Sequence, residues 1–251
     1  MMDSLPKRVG LPRKGWLSMS VHVPESTTPN SVLLIENASV GRLKEPNPLG
    51  GWVKRCFDLA CASSALIAFS PLFLMIAALI KLSDGGPVFY RHQRIGCRSH
   101  PFPCFKFRTM AVDGDEVFRR YLRASPEAAQ EWSETRKLTS DPRVTAVGAV
   151  LRQLSLDELP QLINIIRGEM SIVGPRPIVS DEIEMYGPHA SSYLRARPGL
   201  TGAWQVSGRN DVSYDRRVAL DRAYVENWSL RADIVIILKT IPAVITARGT
   251  Y

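Results

Sequence analysis

The sequence predicts a mostly α fold with a short β-hairpin (α+β), held on one face of a membrane as a monotopic protein with a re-entrant broken helix. Three observations lead there. The 22-residue run Leu59–Ile80 carries no charge, and Ser70-Pro71 interrupts it at the centre. Directly behind it, Val88–Tyr90 and Cys104–Phe107 flank a loop holding Gly96, Pro101 and Pro103, the pattern of two short paired strands. From residue 113 onward, apolar residues recur mainly at helical spacing.

Residues 1–50 are rich in Pro, Ser and Asn and read as a disordered N-terminal tail, with only Ser31–Glu36 resembling a short strand. Residues 1–30 hold no uninterrupted apolar run of the kind that opens a secreted chain. With the four cysteines Cys56, Cys61, Cys97 and Cys104, this points to a reduced, cytoplasm-facing location. The set His92, Cys97, His100 and Cys104 lacks the close ligand pairs of a zinc site.

About 20 apolar residues cross a bilayer as a helix, so Leu59–Ile80 is long enough to span. The proline argues for a bend, because it removes a backbone donor and crowds the preceding turn. Each half is then on the order of 16 Å long, too short to cross. Lys54 and Arg55 stand before the run, and a basic remainder follows it. Basic flanks prefer the cytoplasmic side, so a segment with two such flanks must turn back. Further on, Asp113–Arg123, Pro126–Lys137, Leu151–Arg167 and Tyr214–Trp228 read as helices, the second capped by Ser125. Ile234–Ile245 is apolar but interrupted by Lys239 and Pro242, and is expected to lie along the membrane interface.

With 32 basic and 24 acidic residues, the net charge of +8 favours an anionic partner: nucleic acid, anionic lipid or a phosphorylated substrate. No nucleic-acid-binding signature is present, so no nucleic-acid partner is expected. The basic run Arg91, Arg94, Arg98, Lys106, Arg108 follows the membrane segment and includes no acidic residue, which suits phosphate at headgroup height. In Leu154–Gln161 (LSLDELPQ), Pro160 belongs in a helix's first turn, placing Asp157 at or near the N-cap. There Asp157 either only caps the helix or, kept ionised by the helix field, serves as a nucleophile toward phosphorus or as a Mg²⁺ ligand, with Glu158 as a second carboxylate. In Gly174-Pro175-Arg176-Pro177 two prolines restrict the backbone beside an arginine that could clamp a diphosphate. Arg197–Arg209 (RPGLTGAWQVSGR) is a turn-rich loop, equally consistent with a substrate-facing or a structural role.

Taken together, Lys54-Arg55, Ser70-Pro71, GGPVFYRHQRIG (85–96), KFRTM (106–110), the stretch 141–177 and 197–209 resemble the bacterial sugar transferase family, the monotopic polyprenyl-phosphate hexose-1-phosphate transferases. The resemblance covers about residues 52–251, with several motifs in fixed order. The closing stretch is most similar to members that start an exopolysaccharide repeat unit with galactose. The resemblance implies that Asp157 attacks the β-phosphate of a UDP-sugar in the presence of Mg²⁺, releasing UMP, and that undecaprenyl phosphate then takes the sugar phosphate. It implies that Glu158 completes a catalytic and metal-binding pair with Asp157. It places Lys106, Arg108, Thr109, Arg152, Pro175, Arg176 and Pro177 around the substrate, and makes Ser70 and Pro71 the break of a re-entrant helix. The organisation it implies is a tail over 1–50, a re-entrant membrane helix over 51–84, and a catalytic domain with interfacial helices over 85–251, on the cytoplasmic face of the bacterial inner membrane. The expected partners are a UDP-sugar, polyprenyl phosphate and membrane lipids; a homo-oligomer is compatible with the sequence. The rival readings are a transferase without a covalent intermediate and a basic membrane scaffold.

Overall fold

In the computed structural model the apolar run folds as two helices, α1 (Gly51–Ala68) and α2 (Ser70–Asp84), bent by 62° at Phe69. The structure describes residues 48–135, 138–208 and 212–245, so the tail reading and the Ser31–Glu36 strand lie outside the described residues. The bend has a local cause. Pro71 has no N–H to donate to the carbonyl four residues back, that of Ile67, and the Ser70 hydroxyl donates to that carbonyl instead at 2.8 Å. Pro71 then falls in the first turn of α2, where a proline is tolerated. Among the described residues no single helix is long and apolar enough to cross a membrane.

Lys54 and Arg55, the basic pair before the apolar run, are both engaged inside the protein. Lys54 is buried, with Nζ 2.6 Å from Asp233 Oδ2 and 3.1 Å from the Tyr224 hydroxyl. Arg55 donates to the Ile165 and Ile166 carbonyls at 2.5 and 2.8 Å, satisfying acceptors that a helix C-terminus leaves unpaired. Asp58, also on α1, accepts from Ser171 Oγ and Ile172 N at 2.9 and 3.0 Å. One face of α1 is therefore sewn into the protein, and Ala62 packs with Phe102, Leu162, Ile165 and Met170. Elsewhere α1 and α2 leave Ile67, Phe69, Leu74, Met75, Leu79 and Leu82 exposed.

The expected hairpin forms, and is longer than its two runs. Strands β1 (Phe89–Ile95) and β2 (Pro101–Phe107) pair antiparallel from Phe89↔Phe107 to Ile95↔Pro101. Helices α3 (Gly114–Ala124) and α4 (Pro126–Thr135) fall where expected, the second with the Ala128 amide donating to Ser125 Oγ. The helical region Leu151–Arg167 is broken, and its second helix starts directly after Pro160, in keeping with the proline. It divides into α5 (Ala146–Gln153), a 3₁₀ turn (Leu156–Glu158) and α6 (Gln161–Arg167), because Ser155 takes a left-handed conformation with φ 55°. A short parallel pair that periodicity could not reveal follows: β3 (Ser171–Val173) beside β4 (Gly199–Thr201). A 3₁₀ segment (Ser180–His189) and α7 (Ala190–Leu194) lie between these two strands. Helix α8 (Tyr214–Glu226) buries Val218 and Val225 from the expected stripe. Helix α9 (Leu230–Ile245) runs through Lys239 and Pro242, which do not interrupt it among the described residues. It buries Ile236 and leaves Ile234, Val235, Leu238 and Ile241 exposed.

Candidate active site

The site is built where β2 meets the 3₁₀ turn. Side chains alternate along a strand, so Lys106 shares a face with Phe102 and Cys104. Those two pack beside α6, and the same face carries the Lys106 ammonium to the carboxylates of the turn before it. Lys106 Nζ lies 2.7 Å from Glu158 Oε1 and 3.3 Å from Asp157 Oδ2. Asp157 does not cap α6: Ser155 precedes the 3₁₀ turn, and Pro160 occupies the position before Gln161. The helix field expected to keep Asp157 ionised is therefore not what tunes it. Burial pushes the Asp157 carboxyl above its ordinary range, Lys106 opposes this, and the Glu158 charge adds to it. For Glu158, burial also acts upward, but the charge and hydrogen bond of Lys106, with Arg176 and Arg94, outweigh it and hold the carboxyl below its usual range. Lys106 thus lowers both carboxyls, but burial prevails at Asp157 while Lys106 with Arg176 and Arg94 prevails at Glu158.

These residues line an open cleft of about 1960 Å³, which Arg108, Thr109, Arg152 and Arg176 also reach. Arg152 Nε donates to Thr109 Oγ1 at 2.9 Å, so Thr109 orients the arginine. The Arg108 guanidinium is engaged by both carboxylate oxygens of Asp84 and by the Pro87 and Met110 carbonyls, which makes it a brace between α2 and the cleft rim. Arg91 and Arg94 do not line the cleft. Arg91 lies over the Phe105 ring, and Arg94 donates to the Pro177 carbonyl at 3.2 Å. Arg176 is exposed and stands 5.8 Å from the Trp204 ring, whose indole also meets Arg217. Pro175 and Pro177 do not line the cleft; they position Arg176. The Pro175 carbonyl accepts from Gly199 N at 2.7 Å, and a Cβ on Gly199 would fall 2.1 Å from Gly174 N, so only glycine allows β4 this close to the turn.

The loop 197–208 also contributes to the cleft, through Leu200, Thr201, Trp204, Gln205 and Val206. The Asp141–Arg143 pair at the cleft's edge went unnoticed in the sequence. Arg143 is bidentate to Asp141 and stacked on Phe118 at 4.3 Å, and only the two-residue spacing hints at this. Among the described residues no three His, Cys, Asp or Glu side chains converge as a ready-made metal site. The site is thus a carboxylate pair bridged by lysine, facing a cleft bordered by arginines. It can hold a phosphorylated substrate against an oxygen nucleophile.

The model of the family described as "Bacterial sugar transferase" matches residues 49–247. The exopolysaccharide production protein ExoY of Rhizobium meliloti (strain 1021) is 65% identical over 204 residues, 81% of this chain and 90% of that protein. The undecaprenyl-phosphate galactose phosphotransferase of Salmonella typhimurium is 52% identical over 201 residues, 80% of this chain but 42% of that longer protein. A UDP-glucose:undecaprenyl-phosphate glucose-1-phosphate transferase of Caulobacter vibrioides is 39% identical over 206 residues, 79% of this chain and 72% of that protein. A match over most of the chain, with Lys106, Asp157, Glu158 and Arg176 gathered at one cleft, leads to one conclusion: this chain belongs to the bacterial sugar transferase family.

Proposed function

We propose that this protein is a phosphoglycosyl transferase that moves hexose-1-phosphate, with galactose as the hexose, from a UDP-sugar to undecaprenyl phosphate, the first step of exopolysaccharide repeat-unit assembly. The observation that carries the reading is the Asp157–Lys106–Glu158 bridge on the wall of an arginine-bordered cleft. The relatives agree with it: one is an exopolysaccharide production protein, and another is an undecaprenyl-phosphate galactose phosphotransferase. The glucose-transferring relative is less similar, which favours galactose.

In the proposed reaction an Asp157 carboxylate oxygen attacks the β-phosphorus of the UDP-sugar. The bond from that phosphorus to the bridging oxygen breaks, and UMP leaves with the electron pair. A phosphate oxygen of the polyprenyl phosphate then attacks the same phosphorus. The acyl-phosphate bond breaks, and Asp157 returns as a carboxylate. Lys106 offsets charge at the carboxylate pair, Arg176 and Arg152 hold phosphate oxygens, and Thr109 keeps Arg152 aimed. Two carboxylates without a third protein ligand suit Mg²⁺, which is commonly bound by one or two carboxylates plus substrate phosphates and water; Asp157 and Glu158 would hold it, and it would supply charge neutralisation at the diphosphate.

The bent α1–α2 pair, with its exposed apolar residues, supports re-entrant insertion from the cytoplasmic face of the inner membrane. The covalent reading is tested by incubating the protein with radiolabelled UDP-galactose and no lipid, then quenching and digesting. Label released by hydroxylamine is expected on the peptide containing Asp157, and Asp157→Asn is expected to lose both turnover and UMP exchange. Full activity in Asp157→Asn sinks the covalent mechanism.

A further inference from the structure

Two arginines outside the cleft share one aromatic ring. Arg91 and Phe105 are direct cross-strand partners in the hairpin, so their side chains leave the same face. The Arg91 guanidinium stands 5.4 Å from the Phe105 ring centre, and that of Arg167, at the end of α6, stands 4.9 Å from it. A built contact brings Arg167 there. Asn164, buried on α6, accepts from the Phe105 amide at 2.9 Å and donates to the Pro103 carbonyl at 2.8 Å, which ties α6 to the edge of β2 that β1 leaves open. Phe105 is buried beneath these groups, but both arginines are exposed. Neither makes a hydrogen bond or an ion pair with the described residues; the ring orients each guanidinium without using its donors. The pair also has a definite place in the fold. Phe89 and Phe107, the cross-strand pair two residues along the same face, pack on Phe73 of α2 with ring centres 5.9 and 4.7 Å away. Helix α6 packs on α1, with Leu162 and Ile165 clustered about Ala62. Each arginine therefore sits on an element seated against one arm of the bent apolar pair.

We propose that Arg91 and Arg167 form a clamp for the phosphate of an anionic lipid headgroup beside the re-entrant helices, separate from the cleft. This rests on the membrane reading given above. Arginine bonds phosphate oxygens through a planar fork, and two forks oriented on one ring can take oxygens of the same phosphodiester. The Lys106 ammonium in the cleft already faces two carboxylates, whereas this pair faces none among the described residues and keeps its full charge for a ligand. Headgroup phosphates lie just outside the apolar layer, the level at which groups beside α1 and α2 meet them. A phosphatidylglycerol-type headgroup suits the pair better than a zwitterionic one, whose own ammonium would stand beside two guanidiniums.

The test is native mass spectrometry of the full chain in detergent, titrated with phosphatidylglycerol and, separately, with phosphatidylcholine. The parent is compared with Arg91→Gln, Arg167→Gln, the double variant, and Arg119→Gln/Arg123→Gln, which removes the same charge from an exposed face of α3. Phosphatidylglycerol should bind the parent more tightly than phosphatidylcholine does. Each single variant should weaken phosphatidylglycerol binding roughly 5-fold and the double variant roughly 30-fold, with the α3 pair unchanged. Both arginines are exposed, so melting temperatures should stay within about 2 °C of the parent. If the glutamine double variant melts lower, Arg91→Lys/Arg167→Lys, which keeps both charges and loses the forks, should still bind phosphatidylglycerol more weakly than the parent. Equal losses in the arginine-pair and α3 double variants mark diffuse attraction and overturn the proposal. Displacement of phosphatidylglycerol by millimolar inorganic phosphate also overturns it, assigning the pair to free phosphate. A parent that needs detergent yet binds both lipids alike overturns the headgroup site alone. A parent that stays in solution without detergent and binds neither lipid overturns the membrane reading, and this inference with it.

Discussion

Lys54→Met should be among the most damaging single substitutions outside the cleft. The Asp233 side chain is fully buried and the Lys54 side chain only 3% exposed, so neither charge has water to fall back on. Asp233 accepts three hydrogen bonds, from Lys54 at 2.6 Å, Tyr224 at 2.6 Å and Trp228 at 3.1 Å. Removing one partner of a buried pair costs about 3–5 kcal/mol, because the remaining charge stays buried. Lys54→Met leaves Asp233 two neutral donors, which places it near the lower figure. Asp233→Leu leaves the Lys54 ammonium one hydrogen-bond acceptor, the Tyr224 hydroxyl at 3.1 Å, with the Asp58 charge and the Tyr224 and Trp228 rings near it, which places it near the upper one. At about 2–4 °C per kcal/mol for a domain of this size, the melting temperature should fall by roughly 6–12 °C and 10–20 °C respectively. The double variant Lys54→Met/Asp233→Leu removes the ion pair together and should recover part of the loss, the remainder being the Lys54 charge that buried Asp58 no longer faces. Thermal unfolding in detergent, followed by tryptophan fluorescence, measures all three. Single variants within about 2 °C of the parent, or a double variant no better than the worse single, would refute the reasoning.

Asp221 should make stability depend on pH. Burial pushes its carboxyl up to about 7, the Tyr186 hydroxyl only partly offsets this, and its Oδ1 is unpaired among the described residues. A carboxyl raised in the folded state contributes stability that is full below its unfolded value of 3.8 and is lost as pH rises through about 7. Urea midpoints should therefore fall between pH 5 and pH 7.5, and Asp221→Asn should flatten that part of the profile; an unchanged slope in the variant would exclude Asp221 as its source. Gly148→Ala should inactivate without touching a cleft charge, because the new Cβ would lie 2.0 Å from the Thr109 carbonyl oxygen and must displace the residue that orients Arg152. Loss on the order of 100-fold in kcat/KM is expected for a displacement near 1 Å, and parental kinetics would show that the backbone relaxes elsewhere. Single cysteines at Trp52 and Leu82, both highly exposed, in a background without Cys56, Cys61, Cys97 and Cys104, should both resist an impermeant periplasmic thiol reagent. Labelling at one position only would mean that the segment spans.

Much of the local structure was legible because it depends on near neighbours in the chain. The bend at Ser70-Pro71 follows from a missing donor, the hairpin from two β-prone runs around a turn-rich loop, and α4 from Ser125 and Pro126 at its start. The boundary errors also have local causes with weak signals. The left-handed Ser155 separates α5 from the helix that begins after Pro160, and α9 continues through Pro242. The cleft was only partly legible. Asp157, Glu158, Lys106 and Arg176 are recognisable as residue types suited to phosphate chemistry, yet Thr201, Gln205 and Thr240 look like ordinary loop and helix residues until β4 and α9 pack side by side at the cleft.

The sequence by itself determined the inventory of elements, the excess of positive charge, the broken apolar helix and the residues able to carry phosphate chemistry. Tertiary structure decided which charges face the cleft and which are buried inside the fold. Lys54 and Lys106 are both lysines near an apolar segment. Lys54 is buried against Asp233, 179 positions away, whereas Lys106 meets Asp157 and Glu158 at an open cleft. The physical reason is that a charge takes its role from its partners and its access to water. Both are set by contacts between elements far apart in the chain, which propensity and periodicity do not encode.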